Sequence, residues 1–254
     1  MLCVTIVFLF SSITTVIVNS FSIASCQDKP VDFPTQHGTL NYNAFRGSAC
    51  NLQSFLPSTY TGEPYIETMS TKFSCIVAVC ENRGIGIKGD LPWKLKQELK
   101  YFSRTTKKVD DAGRRNAVIM GRKTYFGVPE SKRPLPDRLN IVLTRNASSH
   151  AFPPDVLVCG SLQEALVKLD TTNYGKDIEN IWVVGGNSVY KEAMESNRCH
   201  RVYLTEIKKQ FECDAFFPEM PKSFVLVDND PDIPNDVQEE NGIQYMYKIY
   251  ENKH

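Results

Sequence analysis

The chain has 254 residues, room for one large domain or for a domain with a tail. Its 29 basic and 29 acidic residues cancel, so no strong field draws it to nucleic acid or to a membrane surface, and 42% hydrophobic residues allow a sizeable core. Four scattered histidines and eight cysteines without C-x-x-C or Cys/His spacing exclude a recognisable metal motif.

In chain order, residues 2–18 are apolar or small and uncharged, but no Lys or Arg precedes them, so the positive flank of a signal peptide is missing. The run is also short and Ser/Thr-interrupted for a membrane span. Three readings stand: a secretory or anchor segment, an organellar leader, or upstream sequence absent from the working protein. Arg poverty weighs against the second, and Met69, just before patterned text begins, favours the third. Residues 19–68, rich in Ser, Thr, Asn and Pro, are expected to be disordered. The expected domains are therefore an extension, 1–68, and a folded body, 69–254. The body's cysteines, Cys75, Cys80, Cys159, Cys199 and Cys213, are odd in number and suit a reducing compartment. A regular strand through Cys75 and Cys80 would point them to opposite faces. Asn146-Ala147-Ser148 matches a glycosylation acceptor that matters only in a secreted chain.

Buried strands are predicted at Phe73–Val79, Ala117–Met120, Leu139–Leu143, Val156–Val158, Ile181–Val184 and Arg201–Ile207. Gly84, Gly86 and Gly89 punctuate a loop, and an amphipathic helix follows Trp93. Ser161 and Glu164 form a capping box opening a helix to about Leu169, and a further helix spans Ser188–Glu195. Asn241-Gly242 signals a tight turn before Ile243–Tyr250, which alternates. The expected fold is α/β: three layers, a mainly parallel central sheet with an antiparallel C-terminal strand, and helices on both faces.

In the first helix Leu95, Leu99 and Phe102 form an apolar stripe, with Lys96 and Lys100 on the wet face. Glu98 lies with the stripe. A carboxylate there is either a helix-edge acid whose head reaches water, or a desolvated acid with a raised pKa that can manage protons near neutral pH. Three strand ends offer anion chemistry: Gly121-Arg122-Lys123-Thr124 at a helix start, Thr144-Arg145, and Gly185-Gly186, where backbone can approach a ligand. Each alone is compatible with plain solvated surface. Together, without G-x-G-x-x-G, they point to a phosphorylated dinucleotide on another scaffold.

These residues resemble dihydrofolate reductases of the animal, particularly insect, type. The matching strings are Ile76-Val77-Ala78-Val79, Gly89-Asp90-Leu91-Pro92-Trp93, Glu98-Leu99-Lys100-Tyr101-Phe102, Met120-Gly121-Arg122-Lys123-Thr124, Arg133-Pro134-Leu135 with Arg138, Val184-Gly185-Gly186 with Val189-Tyr190, and Asp214 with Phe216-Phe217-Pro218. They run over about 72–252 and leave the extension unmatched.

The resemblance implies reduction of 7,8-dihydrofolate to tetrahydrofolate by hydride from NADPH. It makes Glu98 the acid that holds the pterin and Thr205 the hydroxyl behind it, with Leu91 and Trp93 beside the reacting rings. Ile76, Leu99, Phe102, Val128, Arg133, Leu135, Val184 and Tyr190 would complete the substrate slot, and Arg138 would clamp the substrate's α-carboxylate. NADPH would meet Ala78, Ile85, Arg122, Lys123, Thr124, Thr144, Arg145, Gly185, Gly186, Ser188, Val189 and Tyr190, with Arg122, Thr144 and Arg145 around the 2′-phosphate. Gly160 stands where some relatives place another phosphate-binding Arg. Gly185-Gly186 resembles the family's cis peptide, and Gly84–Trp93 its mobile lid. Four residues separate Trp93 from Glu98, one fewer than usual in vertebrate relatives, which places inhibitor selectivity in question. The implied partner is the small substrate, with no obligate nucleic acid, no metal, no membrane for the folded body, a monomeric state and a cytoplasmic home. Two rivals remain: a pocket that binds without turnover, and an exported protein.

Overall fold

The structure is a computed structural model that describes residues 71–253 except 229, 230 and 232, and the backbone of one short antiparallel pair, Pro34–Thr35 with Gly38–Thr39. The chain divides into two units, Met1–Tyr65 and Ile66–His254. The expectations for the apolar segment 2–18, for disorder over 19–68 and for a start at Met69 lie outside the described residues.

The apolar runs of the second unit become strands, named in chain order. They are β1 (Phe73–Cys80), β2 (Gly84–Gly86), β3 (Arg115–Gly121), β4 (Arg138–Leu143), β5 (Val156–Cys159), β6 (Ile178–Val183), β7 (Cys199–Ile207), β8 (Ala215–Phe216), β9 (Phe224–Val227), β10 (Gln238–Glu240) and β11 (Ile243–Asn252). The main sheet has the order β9-β11-β7-β1-β6-β3-β4-β5, with β10 also on β11. Strands β7, β1, β6, β3, β4 and β5 are mutually parallel, while β11 is antiparallel to β7 and to β9. Burial on both faces explains the unbroken apolar text of β3 and β4.

Helices α1 (Lys96–Lys107) and α2 (Arg122–Gly127) contribute Tyr101 and Tyr125 to one core layer, with Val118, Met120 and Val142. Helices α3 (Leu162–Thr171) and α4 (Asn187–Met194) contribute Leu166 and Ala193 to the other, with Val77, Ile119 and Ile141. Cys75 belongs to the second layer and Cys80 to the first, as strand alternation requires. Asn241 and Gly242, at φ 55° and 69°, make the tight turn between β10 and β11.

Three differences from the sequence reading have physical causes. Gly84–Gly86 is not loop: it pairs with β8, Ala215 opposite Gly86, a two-strand ladder too short for periodicity to reveal. Strands β9 and β10 lie at the sheet's antiparallel edge: the short apolar run Phe224–Val227 was passed over, and its Val225 and Leu226 stay exposed. In the α3 box Ser161 Oγ accepts from Glu164 N at 3.1 Å, but the Glu164 carboxylate turns to Gly160 N at 2.7 Å rather than to Ser161.

The topology opens one crevice. From β1 the chain passes to β3, β4 and β5 on one side, and from β6 it passes to β7 on the other. The chain's direction of travel therefore reverses between β1 and β6, where open α/β sheets take ligands. These two strands pair only at Ser74–Trp182 and Cys75–Val183. Beyond that point the β1 edge facing β6 leaves its ladder.

Candidate active site

Glu98 stands on the α1 face that covers this crevice. The helix start has no side-chain cap of its own, because Leu95 occupies the capping position. The Glu240 carboxylate of β10 substitutes, accepting from Lys96 N and Gln97 N at 2.8 Å each, while Asn241 Nδ2 donates to Lys94 O at 2.8 Å. A carboxylate at a helix N-terminus also suits the helix dipole. The β10–β11 hairpin thus sets where the first turn of α1, and with it Glu98, sits. Sequence reading missed Glu240, since its partners lie 143 and 144 residues away.

The buried line of α1 is Glu98, Tyr101 and Thr106, above a buried Leu95, whereas Leu99 is 48% exposed. This corrects the expected Leu95–Leu99–Phe102 stripe: the acid faces inward more fully than the leucine. Glu98 is 5% exposed and receives one hydrogen bond, from Thr205 Oγ1 to its Oε1 at 3.1 Å. Desolvation pushes its pKa up to about 7, the Thr205 bond pulling the other way. Thr205 is held by register, opposite Ala78 on one side and Tyr247 on the other. Tyr247 packs on Tyr101 with ring centroids 4.0 Å apart, closing the back of the acid's niche.

At the other end of α1 lies Arg138, the first residue of β4. It is buried, with Nη1 donating to Thr106 Oγ1 at 2.7 Å and Nε to Pro136 O at 3.0 Å. Neither partner carries charge, and burial lowers its pKa to about 10, Asp137 opposing. A guanidinium so desolvated favours an anionic partner. Two buried asparagines build its surroundings. Asn116 Nδ2 donates to Thr106 O and Lys108 O at 3.0 and 2.8 Å, closing the end of α1. Asn140 exchanges bonds of 2.9 and 2.8 Å with Leu135 N and O, fixing the segment that follows a cis Arg133–Pro134 peptide. The signal for Asn140 was present: an amide in the middle of the apolar run Leu139–Leu143 needs a buried partner.

The crevice wall opposite β1 is the end of β6. Past Val183, Val184 N donates to Ile119 O at 2.9 Å, and Gly121 N donates to Gly185 O at 2.7 Å. The Gly185–Gly186 peptide is cis, as the resemblance implied. Gly185 has φ 105°, and a Cβ on it would press on the Tyr190 ring at 2.8 Å, while one on Gly186 would lie 3.1 Å from Thr124 Oγ1. The absent Cβ atoms thereby let the glycine pair pack closely against Tyr190 of α4 and Thr124 of α2, with Gly185 buried and Gly186 half-buried. Neither helix has a side-chain cap, their capping positions being Gly121 and Gly186. Register places Gly121 beside Leu143, so Arg122, Lys123 and Thr124 adjoin Thr144 and Arg145, and Thr144 N bonds Cys159 O at 2.9 Å, next to Gly160. Arg122 Nη1 lies 3.0 Å from His150 Nε2, a neighbour that sequence reading missed.

The other candidates sort by place. Ile76, Ala78, Phe102, Leu135 and Val184 share the α1-side layer with Trp93, whose buried Nε1 has no partner among the described residues. Ile85 is half-buried in β2, Val128 half-buried at the end of α2, Leu91 39% exposed, and Ser188 exposed in the first turn of α4. Arg133 Nη1 donates to Val128 O and Phe126 O at 2.9 and 3.3 Å and its guanidinium lies over the Phe126 ring, so it braces the wall. Val189 and Tyr190 are also set behind the crevice, buried in the α4-side layer, with Tyr190 Oη donating to Ile76 O at 2.7 Å. That bond occupies a β1 carbonyl beyond the last β6 pair. Among the described residues no group of His, Cys, Asp and Glu suits a metal, and no helix is long and apolar enough to cross a membrane.

Comparison with known proteins follows this geometry. The dihydrofolate reductase family model matches residues 72–252. The chain is 72% identical over 180 residues to the dihydrofolate reductase of Aedes albopictus, spanning 71% of this chain and 97% of that one. It is 60% identical to that of Drosophila melanogaster over 180 residues, with the same coverage. Among solved structures, Schistosoma mansoni dihydrofolate reductase superposes with a TM-score of 0.63 at 38% identity, over 72% of this chain and 98% of that one.

Proposed function

The chain belongs to the dihydrofolate reductase family, and from that premise we propose how its residues carry the reaction. The protein is an NADP-dependent oxidoreductase that reduces 7,8-dihydrofolate to 5,6,7,8-tetrahydrofolate, serving one-carbon metabolism. The observation that supports the site assignment most is Glu98: an acid desolvated on the crevice wall, with one hydroxyl partner and a pKa raised to about 7.

In this reading the two Glu98 oxygens take the pterin's 2-amino group and N3, with Thr205 holding the carboxylate in plane. Near neutral pH about half of the ligand-free acid keeps its proton; ionised, it accepts from both pterin donors, and the proton it gives up is carried by water toward pterin N5 as reduction proceeds. Ile76, Phe102, Leu135 and Val184 enclose the ring system, Trp93 offers its buried N–H, and Arg138 pairs with the substrate's α-carboxylate.

The cofactor fits the opposite wall on this chain's own features: the closely packed Gly185–Gly186 turn with Gly186 half-buried, and the cations and hydroxyls of Arg122, Lys123, Thr124, Thr144 and Arg145 at adjoining strand ends. NADPH, when bound, supplies the hydride. Arg122 and Arg145 would favour the 2′-phosphate, with Gly160 offering no further cation. Ala78 and Ile85 would present backbone polar groups to the nicotinamide, and Leu91 would cover the reacting rings.

We place the enzyme in the cytoplasm as a monomer, with 69–254 as the working domain. The free thiols Cys75, Cys80, Cys159, Cys199 and Cys213 support a reducing compartment. The test is dihydrofolate-dependent NADPH oxidation by residues 69–254 and by the same protein carrying Glu98→Ala. We expect turnover in the first and its near loss in the second. Full activity in the substituted protein would refute the Glu98 assignment.

A further inference from the structure

Two cysteine pairs approach closely, and they differ in access. Cys75 Sγ and Cys199 Sγ are 3.8 Å apart and sealed in the α4-side layer. Cys80 Sγ and Cys213 Sγ are 3.9 Å apart, and Cys213 is only half-buried. The latter two sulfurs converge over Gly84, where a Cβ would collide with both. Glycine at that position is what lets thiols 133 residues apart meet.

Their surroundings are the hinge of the Gly84–Trp93 segment. Cys80 ends β1, and Cys213 precedes β8, the strand that pairs with β2. Asp214 N donates to Gly86 O at 3.0 Å, the Asp214 carboxylate accepts from Lys88 N at 2.8 Å, and Phe217 N donates to Arg83 O at 2.8 Å. Both ends of the crossing are therefore anchored, one in a central strand and one in the strip that holds the segment's base. Bond formation would bring the sulfurs from 3.9 Å to a separation of about 2 Å.

We propose that Cys80 and Cys213 form a reversible thiol–disulfide modification site that takes a low-molecular-weight disulfide as oxidant and, once closed, staples the base of the Gly84–Trp93 segment. Cys213, the accessible thiol, attacks as thiolate on one sulfur of the small disulfide, giving a mixed disulfide and one departing thiolate. Cys80 then attacks Cys213 Sγ, the Cys80–Cys213 bond forms, and the second small thiolate leaves. The two thiol protons pass to the two departing thiolates. Two electrons pass from the protein pair to the oxidant, and a dithiol reductant runs the sequence backward. Burial and the neighbouring Cys80 push the Cys213 thiol up to about 11, so the reaction is slow at neutral pH and quickens as the solution becomes alkaline. Closure restrains the segment that we read as the lid, so turnover falls while KM for dihydrofolate changes less.

The experiment exposes the full chain to oxidised glutathione at about pH 8.5, where the thiolate fraction is larger, followed by peptide mapping and activity assay. The expected result is a Cys80–Cys213 linked peptide, loss of both of those thiols, intact Cys75 and Cys199, and reversal by dithiothreitol. Turnover should fall roughly three-fold or more in the linked protein and recover on reduction, with no such change in Cys213→Ser. A chain that keeps both thiols, stays glutathionylated at Cys213, or links Cys75 to Cys199 instead would overturn the site. Unchanged turnover in fully linked protein would overturn the coupling to the lid. The coupling rests on the reductase reading, but the link is detected by mass, so failure of the site and failure of that reading are told apart. The unoxidised Cys213→Ser and Cys213→Ala proteins, compared with the parent by circular dichroism, control for folding.

Discussion

A single carboxyl group decides much of this protein's chemistry, and it should leave a mark on stability as well. Glu98 titrates near 7 in the folded chain against an ordinary value of 4.5. Between those values the native state binds more protons than the unfolded state, so unfolding free energy falls as pH rises through that window. The loss approaches about 3 kcal/mol once both states are ionised, at 1.36 kcal/mol per unit. Ligand-free Glu98→Gln should therefore be more stable than the parent at pH 8 and nearly equal at pH 4, measured by urea unfolding. Arg138 makes a second prediction. Replacement by Met should raise KM for dihydrofolate about ten- to a hundred-fold, the worth of a charged hydrogen-bonded pair, and leave KM for NADPH nearly unchanged in steady-state kinetics. Glu98 could be seen in the sequence because it breaks a rule, an acid lying with an apolar stripe, whereas Arg138, just ahead of the predicted strand, was reached only through the family resemblance. The bonds from Arg133 to Val128 O and Phe126 O were not legible, because sequence cannot tell a cation bound to nearby backbone from one that awaits a ligand.

At the scale of elements, periodicity located every strand of the parallel sheet and erred mainly at ends. Those strands are buried on both sides, and burial writes itself into apolar runs. Of the pieces it missed, β2, β8 and β10 are two or three residues long, too short to show a pattern, while β9 is a four-residue apolar run, Phe224–Val227, with an exposed face at the sheet edge. The cap of α1 was illegible for a related reason: Glu240 reaches Lys96 and Gln97 from another element entirely. Removing that carboxylate by Glu240→Ala should cost about 1 kcal/mol, as caps do. It should also reduce turnover, because the first turn of α1 carries Glu98. Ser161→Ala, at the start of α3, should cost a similar amount in urea unfolding, about 1 kcal/mol, with activity unaltered. The contrast between these two variants separates a cap that positions the site from one that only stabilises.

For the molecule as a whole, the crevice follows from topology: the chain's path reverses between β1 and β6, and the two strands part after two residue pairs. One wall then carries the acid and Arg138, the other the glycine pair and the cations at the ends of β3 and β4, so under the proposed reading two ligands meet without a separate domain. Fold class was readable in the sequence, and ordered motifs nominated the residues that the fold brings to the crevice. The split in the sheet was not, since it depends on how far two strands separated by 97 residues, from Cys80 to Ile178, stay paired. The central claim is that Glu98, desolvated and steadied by Thr205, sets the enzyme's response to pH. The most direct test is the pH dependence of kcat/KM for dihydrofolate in the parent and in Thr205→Val. The account predicts an apparent pKa near 7 with activity falling above it, since deprotonation removes the acid. Thr205→Val should move that midpoint upward, because the lost hydrogen bond favoured the charged form. A flat profile across this range, or a midpoint unmoved or lowered by the substitution, would contradict it.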